Sequence, residues 1–170
     1  RFPFNAGRLV ARALKGLGVD HLFTLSGGHL FPIFDGCVEQ GINIVDHRHE
    51  EAATHAAEAF AKFTRQPGVV AVTAGPGVTN AVSAIAASRF NRSPIVVLSG
   101  RAPDHRWGSG SLQEYDHIPV VAPITKSAET LHDGSRAHIA VIDAWHESLR
   151  GAPGPTFVDI PLDTMVSGVV

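Results

Sequence analysis

Two uninterrupted apolar runs, at 69–73 and 95–99, constrain the fold of this chain more than any other feature. Such runs lack the alternation of polar and apolar residues, and they are typical of strands that a parallel sheet buries on both faces. Segments that read as further strands lie at 21–24, 42–45, 127–130 and 156–159. Helical patterns separate them at 5–17, 30–40, 50–64, 78–91, 116–121 and 135–149. This alternation predicts an α/β fold: an open, mostly parallel sheet of about six strands with helices on both faces.

Composition sets the broad class of the protein. The chain has 170 residues, 44% of them hydrophobic and 18% charged, which fits one well-packed domain over 1–170. Fourteen basic residues against 16 acidic ones give a net charge of -2 without a basic block, which argues against nucleic-acid binding. No apolar run approaches the roughly 18 residues of a membrane-spanning helix, so we expect no membrane association.

Cysteine usage and the start of the chain suggest a cellular setting. The single cysteine, Cys37, excludes a disulfide framework and a cysteine-based zinc site, and it fits the reducing cytoplasm. Because Cys37 follows Ile33 and Phe34 at helical spacing, we expect it in the core. The chain begins at Arg1 without an initiator Met or an apolar signal core, so we expect a piece of a longer protein. A separate subunit of a split enzyme remains the alternative.

In open parallel sheets, ligands bind where the strands end. The loops at 25–29, 46–50, 74–77 and 100–115 are therefore the candidate site. The turn at 75–80, Gly-Pro-Gly-Val-Thr-Asn, joins a strand to a helix and could hold a phosphate at the helix N-terminus. It is neither G-x-G-x-x-G nor a P-loop with lysine, however, so its pattern alone favours a tight structural turn.

The segment at 47–55 contains three histidines and two adjacent acids. The spacing of six between His49 and His55 does not place two ligands on one helix face, and H-E-x-x-H is absent, so a metal site is a minority interpretation. Acids in the first turn of a helix commonly favour its dipole. If Glu50 points inward instead, it is a buried carboxylate at a ligand-binding edge, which is typical of proton chemistry.

Other polar residues of these loops have ordinary interpretations on pattern alone. Ser26-Gly27-Gly28-His29 reads as a turn with a solvated histidine, and Gln113 as a loop amide. Asp159 belongs to no recognisable catalytic triad, and no serine occupies a nucleophile elbow.

Together, these segments resemble a known family pattern. The residues that carry the resemblance lie at 18–29, 45–61, 68–80, 93–100, 112–114, 123–126 and 154–163. Arg-His-Glu before an Ala-rich helix, followed by Ala-Gly-Pro-Gly-x-Thr-Asn, is specific as a pair. The chain resembles the N-terminal pyrimidine-binding domain of thiamine-diphosphate enzymes of the acetolactate synthase group. It is also similar to benzaldehyde lyase, including a histidine at the position of His29.

The resemblance implies roles for the catalytic candidates Glu50, Gln113 and His29. Glu50 would share a proton with N1′ of the cofactor's aminopyrimidine, which promotes removal of the C2 proton of the thiazolium ring. A carboxylate held out of bulk water suits this task, because its hydrogen bond is stronger there. Gln113 would reach the active centre, and His29 would act on the substrate as a polar or acid–base group. Glu51 should face elsewhere.

The resemblance also implies the cofactor-binding set. Pro76 and Asn80, with Thr73, match family positions near the pyrimidine. Gly27 and Gly28 match a loop where a Cβ would crowd the cofactor. No metal ligand is expected in this chain, because the Gly-Asp-Gly…Asn motif that holds Mg²⁺ and the diphosphate is absent and belongs to a C-terminal domain of such enzymes.

Partners and substrates follow from the same resemblance. The cofactor would lie between this domain and the diphosphate domain of another subunit, so a homodimer or homotetramer is implied, and the isolated domain would be inactive. A flavin, FAD, if one binds, would sit mainly on a central domain. The reaction implied is the decarboxylating condensation of 2-oxo acids such as pyruvate, in branched-chain amino-acid biosynthesis.

Two departures leave alternatives open. Acetolactate synthases usually have Pro before Gly-Gly and a small residue after it, where this chain has Ser26 and His29. This favours a synthase-like subgroup and keeps open a lyase or decarboxylase of the 2-hydroxyacyl-CoA lyase or benzaldehyde lyase type. A non-catalytic α/β nucleotide-binding module is the alternative of another class, although it has no need of Glu50. A metal hydrolase ranks last.

Overall fold

A computed structural model describes residues 4–169, so the ends of the predicted 1–170 domain, residues 1–3 and 170, lie outside the described residues. Its helices are α1 (Ala6–Gly16), α2 (Phe31–Gln40), α3 (Glu50–Thr64), α4 (Pro76–Phe90), α5 (Ile118–Val121), α6 (Ala137–Leu149) and α7 (Leu162–Val166). Its strands are β1 (His21–Thr24), β2 (Asn43–Asp46), β3 (Gly68–Val72), β4 (Ile95–Arg101), β5 (Ser127–Thr130) and β6 (Thr156–Pro161).

The six strands form one sheet in the order β2-β1-β3-β4-β6-β5, and every pair is parallel. The predicted α/β fold is confirmed, with a sheet that is entirely rather than mostly parallel. Every residue of β3, β4 and β6 is buried, and the apolar runs at 69–73 and 95–99 predicted this for β3 and β4. The helices lie on both faces, with α1, α2 and α6 packed in one core cluster and α3, α4 and α5 in the other.

Local signals fix several boundaries. The Asn5 side chain accepts a hydrogen bond from the Arg8 N–H and caps α1, and Gly41 ends α2 in the left-handed region at φ 67°. Helix α3 packs so tightly on β3 that a Cβ at Gly68 would collide with the Ala57 carbonyl. Small residues permit this close approach.

The differences from prediction are short-range. Helix α4 begins at Pro76, two residues early, because proline is well suited to the first turn of a helix. Helix α6 begins at Ala137, after a 3₁₀ turn over Gly134–Arg136. Helix α7 was not predicted, since five residues carry too little periodicity to be recognised. No helix within 4–169 is both long and apolar enough to cross a membrane.

Candidate active site

A cleft of about 720 Å³ opens at the carboxyl ends of the strands. It brings together six of the residues that the sequence singled out: Gly27, Gly28, His29, Glu50, Thr73 and Gln113. The loop at 103–113 forms much of the remaining wall. Two of the expected cofactor contacts, Pro76 and Asn80, do not line this cleft. Asn80 nevertheless reaches Glu50, whereas Pro76 lies in an adjoining cavity beside Tyr115.

Glu50 is held at the first residue of α3. The helix is capped by His49, whose Nδ1 accepts from the Glu51 N–H, and only 6% of Glu50 is exposed. Asn80 Nδ2 donates to Glu50 Oε2 over 3.0 Å. Glu50 Oε1 accepts no hydrogen bond from the described residues. Glu51 is half-buried and does not line the cleft.

Gly77 gives Glu50 an open flank. A Cβ on Gly77 would lie 3.5 Å from Glu50 Oε1 and 2.8 Å from Thr73 Cγ2. A larger residue here would therefore press on Thr73 and cover the carboxylate oxygen that is not yet bonded. The arrangement presents one oxygen of Glu50 to a ligand while Asn80 fixes the other.

A hydrogen-bond chain crosses the cleft from His29 to Gln113. Thr73 Oγ1 lies 3.3 Å from His29 Nδ1 and donates to Gln113 Oε1 over 3.3 Å. Because the hydroxyl has a single proton, it must accept from His29, so the His29 proton resides on Nδ1. Burial holds the pKa of His29 below its usual 6.5.

The two glycines of the first cleft loop differ in their surroundings. A Cβ on Gly27 would collide with the Thr73 side chain, whereas nothing lies within 4 Å of a Cβ on Gly28. Gly27 therefore allows the loop to pack against Thr73, and Gly28 leaves free space in the cleft. Gly100 has a related role, since a Cβ there would collide with the His29 side chain.

The residues of the metal hypothesis make separate local contacts. His47 Nδ1 bonds to the Val45 carbonyl, His49 caps α3, and His55 pairs with Glu58. Across the described part of the chain, no three His, Cys, Asp or Glu side chains cluster closely enough to hold a metal ion. A metal hydrolase has no support in this geometry.

Several residues near the cleft were not identified from the sequence. His117 and Asp159 are fully buried, and Arg101 is 8% exposed, in one network behind the cleft. A signal was present in the last strand, where Asp159 interrupts the apolar string Phe-Val-Asp-Ile-Pro. An ionisable residue within a buried strand is unusual unless it is paired. Arg106 was likewise overlooked, and it is the one residue with a permanent positive charge among the described cleft residues.

The site fits the aminopyrimidine of thiamine diphosphate. That ring combines acceptor and donor nitrogens on a flat, largely apolar body. The chain offers the unbonded Oε1 of a buried carboxylate, and the missing Cβ of Gly77 leaves space beside it. A largely buried carboxylate hydrogen-bonds strongly to a nitrogen.

Comparison with known proteins agrees with this fit. Residues 4–120 match the family model described as thiamine pyrophosphate enzyme, N-terminal TPP binding domain. The chain is 55% identical over 159 residues to the acetolactate synthase large subunit of Mycobacterium tuberculosis, covering 94% of this chain and 29% of that protein. It is 39% identical over 163 residues to 2-hydroxyacyl-CoA lyase 2 of Danio rerio, covering 96% and 26%. The chain thus spans less than a third of the length of these relatives.

Proposed function

The chain belongs to the thiamine pyrophosphate enzymes, matching their N-terminal TPP-binding domain, and from this premise we propose that its cleft binds the aminopyrimidine of thiamine diphosphate at Glu50. The observation that carries the proposal is the buried Glu50 carboxylate, with Oε2 fixed by Asn80 and Oε1 unbonded within the described residues. When bound, thiamine diphosphate supplies a thiazolium carbon at which carbon–carbon bonds next to a carbonyl are made and broken.

The residues of this chain bind and orient. Glu50 would hold the aminopyrimidine through a hydrogen bond at Oε1, and Asn80, which donates to Oε2, would keep the carboxylate from rotating away. Gly77 keeps the flank of Oε1 free. His29, neutral at pH 7 because its pKa is lowered, accepts a hydrogen bond from the substrate at Nε2 while Thr73 holds Nδ1. Gln113, held through its Oε1 by Thr73, presents its amide N–H₂ to the same space.

For the whole protein, we propose an acetolactate synthase-like carboligase that condenses 2-oxo acids such as pyruvate with decarboxylation, in branched-chain amino-acid biosynthesis. The 55% identity to an acetolactate synthase large subunit supports this reading. This chain, residues 1–170, would be the N-terminal pyrimidine-binding domain of that longer enzyme. Mg²⁺ and the diphosphate would be held by a diphosphate-binding domain, and FAD, where required, by a central domain.

The assembly and its location belong to the same proposal. We expect a cytoplasmic homodimer or homotetramer, because the cofactor would lie between this domain and the diphosphate domain of a second subunit. The open cleft is consistent with this arrangement, since Glu50 lies in a concavity that another surface would have to close before water is excluded.

A second candidate is a 2-hydroxyacyl-CoA lyase, and a specific observation favours it. His29 is 5% exposed and lines the cleft, where acetolactate synthases usually have a small residue. An imidazole at this position suits the hydroxyl of a 2-hydroxyacyl substrate. The 39% identity to 2-hydroxyacyl-CoA lyase 2 of Danio rerio agrees with it.

The test uses the full-length enzyme that contains this chain. Acetolactate formation from pyruvate is measured with thiamine diphosphate and Mg²⁺, and cleavage of a 2-hydroxyacyl-CoA is measured in parallel. Acetolactate that depends on both cofactors and is lost in Glu50→Gln supports the synthase. Cleavage without acetolactate supports the lyase. Absence of thiamine diphosphate binding, measured by calorimetry, contradicts the assignment of the cleft itself.

A further inference from the structure

A buried hydrogen-bond network lies directly behind the cleft. Asp159 in β6 and His117, immediately before α5, are both fully buried, and His117 Nδ1 lies 2.7 Å from Asp159 Oδ2. A carboxylate placed inside a sheet is costly even when it is paired, and an apolar side chain of similar size is often at least as stable. Packing alone therefore does not explain why His117 and Asp159 occupy these buried positions.

The second ring nitrogen of His117, Nε2, contacts the backbone of Gly75. The Gly75 N–H donates to His117 Nε2 over 2.9 Å. Nε2 must offer a lone pair to accept this bond, so the ring proton is on Nδ1 and is donated to Asp159. The Asp159 carboxylate thus fixes both the tautomer and the orientation in which His117 accepts the hydrogen bond from the Gly75 amide.

Gly75 forms the turn immediately before α4. Its backbone, at φ 59° and ψ -111°, lies in a region that favours glycine, and α4 begins at the next residue. Gly77 and Asn80 follow in the first turns of that helix, and both face the Glu50 carboxylate. The position of the Gly75 turn therefore sets both the hydrogen bond to Oε2 and the space beside Oε1.

The same Asp159 oxygen is linked to the cleft loop through Arg101. Arg101 donates to Asp159 Oδ2 over 3.3 Å and to Asp116 over 3.3 Å, and its guanidinium stacks 3.9 Å above the Trp107 ring. Trp107 belongs to the loop that carries Arg106 and Gln113. One buried carboxylate therefore anchors both the turn beneath Glu50 and the opposite wall of the cleft.

We propose that His117 and Asp159 are positioning residues, which clamp the Gly75 amide so that Asn80 and Gly77 hold Glu50 in register with the aminopyrimidine. The inference rests on the proposed function of the cleft. His117 and Asp159 do not line the cleft, and they act through the turn and through α4. Arg101, Asp116, Tyr115 and His29 are ionisable groups that lie beside the pair.

Two substitutions of His117 separate the clamp from packing, in the full-length enzyme. His117→Asn keeps a donor near Asp159 but removes the acceptor for Gly75, whereas His117→Gln extends an amide oxygen toward the position of Nε2. Amide hydrogen exchange of the peptide that contains Gly75, and the Kd of thiamine diphosphate by calorimetry, are the two measurements. We expect His117→Asn to raise the exchange rate at Gly75 and the Kd of thiamine diphosphate by about tenfold each, the effect of one lost buried hydrogen bond. In His117→Gln we expect both quantities to return close to their wild-type values.

His146→Asn, on the exposed side of α6, is the matched control and should change neither quantity. If His117→Asn does not fold, Asp159→Asn replaces it in the exchange measurement alone, since it leaves the imidazole without its anionic partner but also removes the charge that pairs with Arg101. Unchanged exchange at Gly75 would overturn the clamp, and faster exchange with an unchanged Kd would overturn its role in cofactor binding. A wild-type enzyme that does not bind thiamine diphosphate contradicts the proposed function instead, and the exchange measurement still decides the clamp.

Discussion

The Asn80 side chain donates to Glu50 Oε2 over 3.0 Å, and this bond divides the carboxylate into one oxygen held by the protein and one left for a ligand. The two residues are 30 positions apart in the chain and meet because α3 and α4 pack side by side on one face of the sheet. Preorganisation of this kind matters for catalysis, because a carboxylate that is already oriented need not reorganise during the reaction.

Glu50→Gln tests the proposed hydrogen bond between Oε1 and the cofactor. Glutamine keeps the volume and the bond to Asn80 but cannot share a proton as a carboxylate does, so we expect kcat to fall about 10²- to 10⁴-fold with the fold intact. Steady-state turnover and circular dichroism are the measurements. Glu51→Gln, one residue on and outside the cleft, is the matched control and should be mild. An equal loss in both variants would mean that the wrong acid was chosen.

Gly27→Ala and Gly28→Ala form a second pair. The Cβ of Gly27→Ala collides with Thr73, so we expect a loss of about 1–3 kcal/mol in the free energy of unfolding, together with disturbance of His29 and Gln113. Gly28→Ala meets open space in this chain, and its stability should stay near that of the wild type. Urea unfolding measures both. The prediction is wrong if Gly28→Ala is the more destabilised variant.

The sheet could be predicted from sequence because its signals are local. The apolar runs at 69–73 and 95–99, the cap at Asn5 and the left-handed Gly41 each act over a few residues. The rule that ligands bind at strand ends then indicated the correct edge, since the loops at 25–29, 46–50 and 100–115 supply most of the cleft.

The network behind the cleft could not be predicted in the same way. His117 and Asp159 are 42 positions apart, as are Gly75 and His117, and no local pattern states that these residues meet. Gly27 and Gly28 are equivalent in sequence, yet only the tertiary position of Thr73 distinguishes them. What the sequence does show is the anomaly of Asp159 in an apolar strand, which is the one local sign of a buried ionic network.

The lowered pKa of His29 makes the stability of the folded chain depend on pH. In the unfolded chain His29 takes up a proton near pH 6.5, whereas burial delays protonation in the folded chain to a lower pH. Between these two pKa values the unfolded state binds more protons, so this stabilisation is complete above about pH 6.5 and is lost as the pH falls through the folded pKa. We expect the urea midpoint of His29→Gln to fall less steeply on acidification than that of the wild type. Equal slopes, with the exposed His146→Gln as control, would contradict this.

We expect Arg106 to influence which substrate the cleft binds. Glu50 and Arg106 are the only cleft residues in the described chain with a carboxylate or guanidinium group, and Arg106 is exposed and has no ion pair within 4–169. Its backbone is well placed, since Asp163 accepts from the N–H groups of the two preceding residues, Asp104 and His105. A guanidinium held at the cleft should pair with an anionic group of the substrate, either the carboxylate of a 2-oxo acid or a phosphate of a CoA thioester.

We therefore expect Arg106→Met to raise KM for its anionic substrate about tenfold, the scale of one charge-assisted hydrogen bond, with a smaller change in kcat. A higher KM for pyruvate alone identifies the carboxylate, and a higher KM for a 2-hydroxyacyl-CoA alone identifies the phosphate. The KM of a neutral aldehyde substrate should be unchanged in either case, because it offers no anion to Arg106. Arg12→Met, an exposed arginine of α1 outside the cleft, is the control. If KM rises equally for charged and neutral substrates, Arg106 shapes the cleft wall rather than recognising charge.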